Sequence, residues 1–176
     1  MLILIFKIQN KKMKKVFVCL SLIAFAACTA PEVMESRVGF GGEDGSFGIG
    51  SQASVDVVVS LDAAWKNWDT EAMSEFLAAD GEFSFDDGRV AEGSDAFLAI
   101  VEKEGSMDTA YSWDMFYAFS VNLENDTVGG EWVNAGFNVE GTYLEEVIEK
   151  TTFNEWYYVL DGKVTNWSSH KRKRND

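Results

Sequence analysis

Apolar residues recur at spacings of three and four from residue 54 onward. Val55, Val58, Leu61, Trp65 and Trp68 share one face of a helix for which Ser54 is the expected cap. A second, short helix opens at Asp69 or Thr70 and keeps Met73, Phe76 and Leu77 on one side; a third opens at Ser94, with Phe97, Ile100 and Val101 aligned. Between them Glu82-Phe83-Ser84-Phe85 alternates with period two, and Asp86-Asp87-Gly88 supplies turn chemistry before Arg89-Val90. Beyond residue 110 the period is two. Tyr111, Trp113, Met115, Tyr117, Phe119 and Val121 alternate with Ser112, Asp114, Phe116, Ala118, Ser120 and Asn122, and Asn125-Asp126 turns this run into a strand over 128–139. An insertion at 140–146 leads to a third strand over 147–160, which Asp161-Gly162 folds back into 163–167. Helices first and long antiparallel strands last describe an α+β domain, one sheet face covered by three helices.

The first 27 residues follow neither period. They hold Lys7, Lys11, Lys12, Lys14 and Lys15 and no acid, then an apolar run over 16–27. A membrane-spanning helix needs about 20 apolar residues, so this run reads as the core of a secretory signal, for which Met13 is a more typical start than Met1. Phe25-Ala26-Ala27-Cys28 resembles the bacterial lipobox, whose cysteine is lipidated and becomes the mature N-terminus. Residues 28–53 follow, with Gly39, Gly41, Gly42, Gly45, Gly48 and Gly50 close together, and read as a flexible tether. The expected organisation is therefore a signal at 1–27, a tether at 28–53, a domain at 54–170 and a basic tail at 171–176.

Composition narrows the function. The formal net charge of −14 repels a phosphate backbone, which argues against a nucleic-acid partner. Both cysteines, Cys19 and Cys28, precede the domain, so it is no disulfide scaffold. His170 is the only histidine and begins the basic run His170-Lys171-Arg172-Lys173-Arg174. With no cysteine or histidine cluster and no EF-hand spacing, neither a metal nor a cofactor is expected. Gly48-x-Gly50-x-x-Ala53 mimics a dinucleotide loop, but the pattern predicts no strand before it and no βαβ unit around it.

The runs Ala63-Ala64-Trp65-Lys66-Asn67-Trp68-Asp69, Phe76-Leu77-Ala78-Ala79-Asp80-Gly81-Glu82-Phe83-Ser84-Phe85 and Gly93-Ser94-Asp95-Ala96-Phe97 resemble the SnoaL-like branch of the nuclear transport factor 2-like superfamily. The closing Trp156-Tyr157-Tyr158-Val159-Leu160-Asp161-Gly162-Lys163-Val164 is similar to that superfamily's last hairpin. The resemblance implies a strongly curved, mostly antiparallel sheet wrapped against helices into a cone with a pocket at its open end. Among the members, ketosteroid isomerase places a base after the first-strand motif and a proton-donating aspartate before the last hairpin. Those places fall on Phe85 and Asn154 here, so the isomerase route is not expected to be inherited.

Asp114 is then the candidate general base. Phe85, Trp113, Trp132, Asn134, Asn154, Trp156, Tyr158 and Trp167 are the candidate pocket residues, the aromatic ones serving equally as core. Three functions stand open: a lipid-anchored module binding a small apolar or amphipathic molecule, an isomerase, cyclase or dehydratase using Asp114, or an interaction module that pairs as a homodimer through the sheet face. The expected location is the bacterial cell envelope, outside the cytoplasm, with the membrane reached through the lipid anchor. Replacing Cys28 by alanine is expected to abolish acyl-chain labelling and leave an uncleaved precursor; cleavage to an unlipidated, soluble product in the unaltered protein would show an ordinary secretory signal instead.

Overall fold

Side-chain caps open the first two helices, and a glycine opens the third. The first helix, α1 (Gln52–Lys66), is capped by Ser51, whose hydroxyl accepts from the Ser54 amide; Ser54, the expected cap, is buried in the first turn. Asp69 caps the short α2 (Thr70–Ser74) through the Ala72 amide. The third helix, α3 (Ser94–Gly105), is preceded by Gly93 at φ +86°, a left-handed conformation that a side chain would strain, so the cap is a glycine and Ser94 is the first helical residue. The computed structural model describes residues 38–41, 45–124 and 128–175, all within one compact unit, Ser36–Asp176. The signal and Cys28 lie outside the described residues.

The strands are β1 (Val38–Gly41), β2 (Gly45–Ile49), β3 (Leu77–Ser84), β4 (Val90–Glu92), β5 (Ala110–Glu124), β6 (Glu131–Tyr143), β7 (Glu146–Leu160) and β8 (Lys163–Lys173). They form one sheet in the order β1-β2-β5-β6-β7-β8-β3-β4, antiparallel except where β3 lies parallel to β8. This is the expected α+β architecture, with α1 packed across β5 to β8 and α3 against β3 and β4.

Three boundaries differ from the sequence reading. The glycine-rich run is not wholly a tether, because β2 hydrogen-bonds along β5, Ile49 facing Val121. The basic tail is partly strand, with Lys171, Arg172 and Lys173 opposite Phe153, Thr152 and Thr151. The insertion at 140–146 is a tight turn in which only Leu144 and Glu145 leave the ladder, both at positive φ.

Strand parity also shifts within β5. The register slips between Met115 and Tyr117, so Phe116 and Tyr117 both crowd over Gly136 of β6, a position with no room for a Cβ. Before the slip Trp113 and Met115 pack on the core; beyond it the core side passes to Ala118 and Ser120, while Phe119 is exposed.

Phe97 of α3 is the hub of the core. Its ring, 1% exposed, lies 4.6 to 5.7 Å from the ring centroids of Trp65, Phe83, Phe85 and Trp167, joining α1, β3, the β3–β4 hairpin and β8. Phe97→Ala is expected to cost about 3–5 kcal/mol in urea unfolding, since none of four rigid rings can collapse into the space. A loss below about 1 kcal/mol would show that the core closes around the deletion.

Candidate functional site

A cavity of about 340 Å³ opens beside the C-terminal half of α1, between that helix, the β3–β4 hairpin and the inner faces of β5 to β8. Aromatic residues wall it: Trp65 from α1, Trp68 from the turn that follows α1, Phe85 from the hairpin, Trp113 from β5 and Trp167 from β8. These residues are held edge to face, Trp68 on Trp113 at 6.1 Å and Phe85 on Trp167 at 5.1 Å. The ring contacts give the walls fixed orientations.

Glu155, on β7, lines the cavity with its side chain buried among these rings. Three donors converge on its carboxyl: the Tyr157 hydroxyl and the Trp167 Nε1–H, at 3.1 Å, on Oε2, and the Ser169 hydroxyl, at 3.3 Å, on Oε1. Burial nevertheless dominates. It pushes the Glu155 carboxyl up to about 7 against the pull of the three donors, and the Asp62 charge adds to the rise. Burial likewise drives the Tyr157 hydroxyl well above its ordinary range, with the Glu155 charge adding to the effect. Near neutrality Glu155 therefore exists both as a carboxylic acid and as a carboxylate, the condition a general acid–base needs.

Asp62 of α1 supplies a second carboxyl to the wall. Its Oδ1 accepts from Trp113 Nε1 at 2.7 Å, and its Oδ2 pairs with Lys66 Nζ at 2.9 Å. At the mouth Arg89 is held between Asp87 and Glu104, at 2.7 and 2.9 Å, with its guanidinium 4.6 Å over the Phe85 ring; Lys171 pairs with Asp86 at 3.2 Å. Among the described residues no group of three or more His, Cys, Asp or Glu is placed to hold a metal ion.

No family model matches the chain, and no curated protein matches it. Solved structures do. An epoxide hydrolase from M. tuberculosis of the LEH-like kind superposes with a TM-score of 0.56 at 11% identity, over 69% of this chain and 84% of that one. A ketosteroid isomerase-like protein of Kribbella flavida gives 0.56 at 10% identity over 73% and 84%, and a nuclear transport factor 2-like protein of Burkholderia xenovorans gives 0.52 at 16% over 71% and 93%. The chain has the nuclear transport factor 2-like cone fold.

Within this cone the residues singled out from the sequence divide by face. Phe85, Trp113 and Trp167 line the cavity. Asn154, Trp156 and Tyr158 alternate with Glu155 and Tyr157 on β7 and so take the outer face, opposite Gly136, Asn134 and Trp132 of β6. There Trp132 contacts Trp156 and Tyr158, and the Tyr117 hydroxyl donates to Asn134 Oδ1 at 2.9 Å while accepting from Asn154 Nδ2. Asn134 also donates to the Glu155 carbonyl at 3.0 Å, so this amide cluster braces the backbone behind the cavity.

Asp114 is exposed opposite Asn138 and lines no part of the cavity, which corrects its assignment as the base. The acid reaching inward is Glu155, one residue past Asn154, the place that counting back from the last hairpin gave. A strand shifts faces with each residue, so a one-residue error exchanges cavity for surface. Asp62 shares with Leu61 the helix face of Val55, Val58 and Trp65, where periodicity reads it as a polar interruption of a core stripe, and Glu155 stands between aromatic residues that fill both faces of β7. His170 is exposed.

Glu155 makes stability depend on pH with a defined sign. The folded carboxyl keeps its proton to about 7, whereas an unfolded one releases it near 4.5, so the folded state binds the extra proton between these values. The stabilisation is fully present below about pH 4.5 and is lost as pH rises through 7, in all about 3 kcal/mol. Urea unfolding at pH 5 and pH 8 is expected to show Glu155→Gln flattening the fall in stability by an amount of that order. An identical fall in both proteins would mean Glu155 is ionised throughout.

Proposed function

We propose that this domain takes a small apolar or amphipathic molecule into the aromatic cavity and moves a proton on it with Glu155, as an isomerase-, cyclase- or hydrolase-class protein held at the bacterial cell envelope through Cys28. The observation that carries the reading is Glu155 itself: a carboxyl brought to about 7 by burial, lining a cavity of about 340 Å³. As a carboxylate it accepts a proton from a bound carbon or oxygen acid; as an acid it returns one. Tyr157, Trp167 and Ser169 keep its orientation through the cycle, since each donates whether or not the proton is present. The rings exclude water, which would otherwise compete for the carboxylate.

Solved cones that share the fold include isomerase-, cyclase- and epoxide hydrolase-like proteins, which supports a chemistry of this range without choosing within it. Compared with the isomerase layout, Phe85 still offers no carboxylate, so Glu155 must serve as both base and acid.

Cleavage of 5-nitrobenzisoxazole, which opens when a base removes its ring proton, tests a cavity carboxylate without knowledge of the natural substrate. Turnover is expected to rise with a midpoint near pH 7 and to fall about 10²–10⁴-fold in Glu155→Gln, while Asp114→Asn leaves it unchanged. Turnover that survives Glu155→Gln, or that is absent from the unaltered protein at pH 8, would overturn the proposal.

A further inference from the structure

We infer that the molecule this cavity accepts is an organic cation, an amine or quaternary ammonium group carried on an apolar body. The inference rests on the proposed cavity at Glu155 and names the class of molecule it takes.

The charge of the walls is the first ground. Six carboxyl groups line the cavity and its mouth, those of Asp62, Asp86, Asp87, Glu104, Glu149 and Glu155, against two cations, Arg89 and Lys171. Arg89 is held by Asp87 and Glu104 and Lys171 by Asp86, while Asp62 pairs with Lys66, so neither lining cation is free for an anion. The acids in excess are Glu149, Glu155 and one of the two that share Arg89. An anionic ligand would meet a net negative charge there. A neutral one gains only the apolar contact with the rings, whereas a cation on an apolar body gains that contact and the attraction of the carboxylates as well.

The walls also supply what an organic cation prefers. Four of the six tryptophans line this one cavity, Trp65, Trp68, Trp113 and Trp167, and indole has the most attractive face for a cation. The site already holds one such contact, since the Arg89 guanidinium sits 4.6 Å from the centre of the Phe85 ring. A bare metal ion is not served by the same walls, because the carboxyls are spread around the cavity and none of the described residues form a metal-binding cluster.

Glu155 ties charge to binding. The charged or titratable groups facing it are Asp62 from α1 and Tyr157 from its own strand, while β8 contributes only the neutral donors Trp167 and Ser169. A cation entering beside it favours the carboxylate and expels the proton that burial retained.

Tryptophan quenching and calorimetry on the purified full chain provide the test. The probes are benzyltrimethylammonium, its uncharged carbon isostere neopentylbenzene, and benzenesulfonate. The cation is expected to bind at least about tenfold more tightly than the isostere, and benzenesulfonate not to bind. At pH 6.5 the cation should also release a proton, seen as a binding heat that varies with the ionisation enthalpy of the buffer. Asp62→Asn and Glu155→Gln, both close in shape to the originals, are each expected to weaken the cation and spare the isostere. Equal or tighter binding of the isostere, or unchanged cation affinity in both variants, overturns the inference. Nitrobenzisoxazole turnover with no cation preference would overturn the ligand class alone, whereas cation preference without turnover would overturn the proton-transfer reading alone.

Discussion

A mismatch of length between helix and strand underlies this molecule. At 15 residues α1 is about 22 Å long, whereas β5 and β7, also of 15 residues, extend to about 50 Å. One helix cannot cover such strands from end to end. The part of the inner face that α1 does cover is closed by Val58, Leu61, Val133, Tyr157, Val159 and Val164. Toward the C-terminal end of α1 the cover thins to Asp62 and Trp65, the turn residue Trp68 and the β3–β4 hairpin, and there the cavity forms. The helix termini and the hairpin thus set where the cone stops being core and becomes a site.

The chemistry of the cavity follows from the same geometry. A carboxyl on the covered part of β7 would have no outlet, and one on the free edge would be hydrated. Glu155 stands at the transition, dry enough for burial to outweigh three hydrogen bonds and still facing open volume. The donors hold its position without suppressing its proton. The outer-face cluster of Tyr117, Asn134 and Asn154 grips the same stretch of backbone from behind, which limits how far the carboxyl can retreat. Arg89 and Lys171, bound by acids of the mouth, leave the approach to the cavity acidic.

Much of the architecture was legible along the chain. Spacing located the three helices, alternation located β5 to β8, and Asp86-Asp87-Gly88 and Asp161-Gly162 marked the two hairpins. These signals are local: a helix needs an apolar stripe every third or fourth residue, and a tight turn needs residues that tolerate unusual φ. Phe85, Trp113 and Trp167 line the cavity, but the same aromatic pattern singles out Trp132, Trp156 and Tyr158, which take the outer face, so alternation names the aromatic residues without separating cavity from surface. The strands β1 and β2 could not be read, because their glycines carry no alternation and their pairing depends on the free edge of β5.

What the sequence by itself determined is the kind and order of the elements, the acidity, and the concentration of aromatic residues on the strands. Which face of each strand turns inward was decided by tertiary structure alone. On β7 the odd residues Phe153, Tyr157 and Val159 and the even residues Trp156, Tyr158 and Leu160 are both apolar enough to be core, so alternation defines two faces without ranking them. The ranking comes from long-range register: the slip at Met115–Tyr117 on β5 and another at Tyr158–Val159 against β8 reset parity partway along the strands. Burial of Phe153, Tyr157 and Val159 under α1 and its neighbours then carries Glu155 inward with them and leaves Asp114 in water.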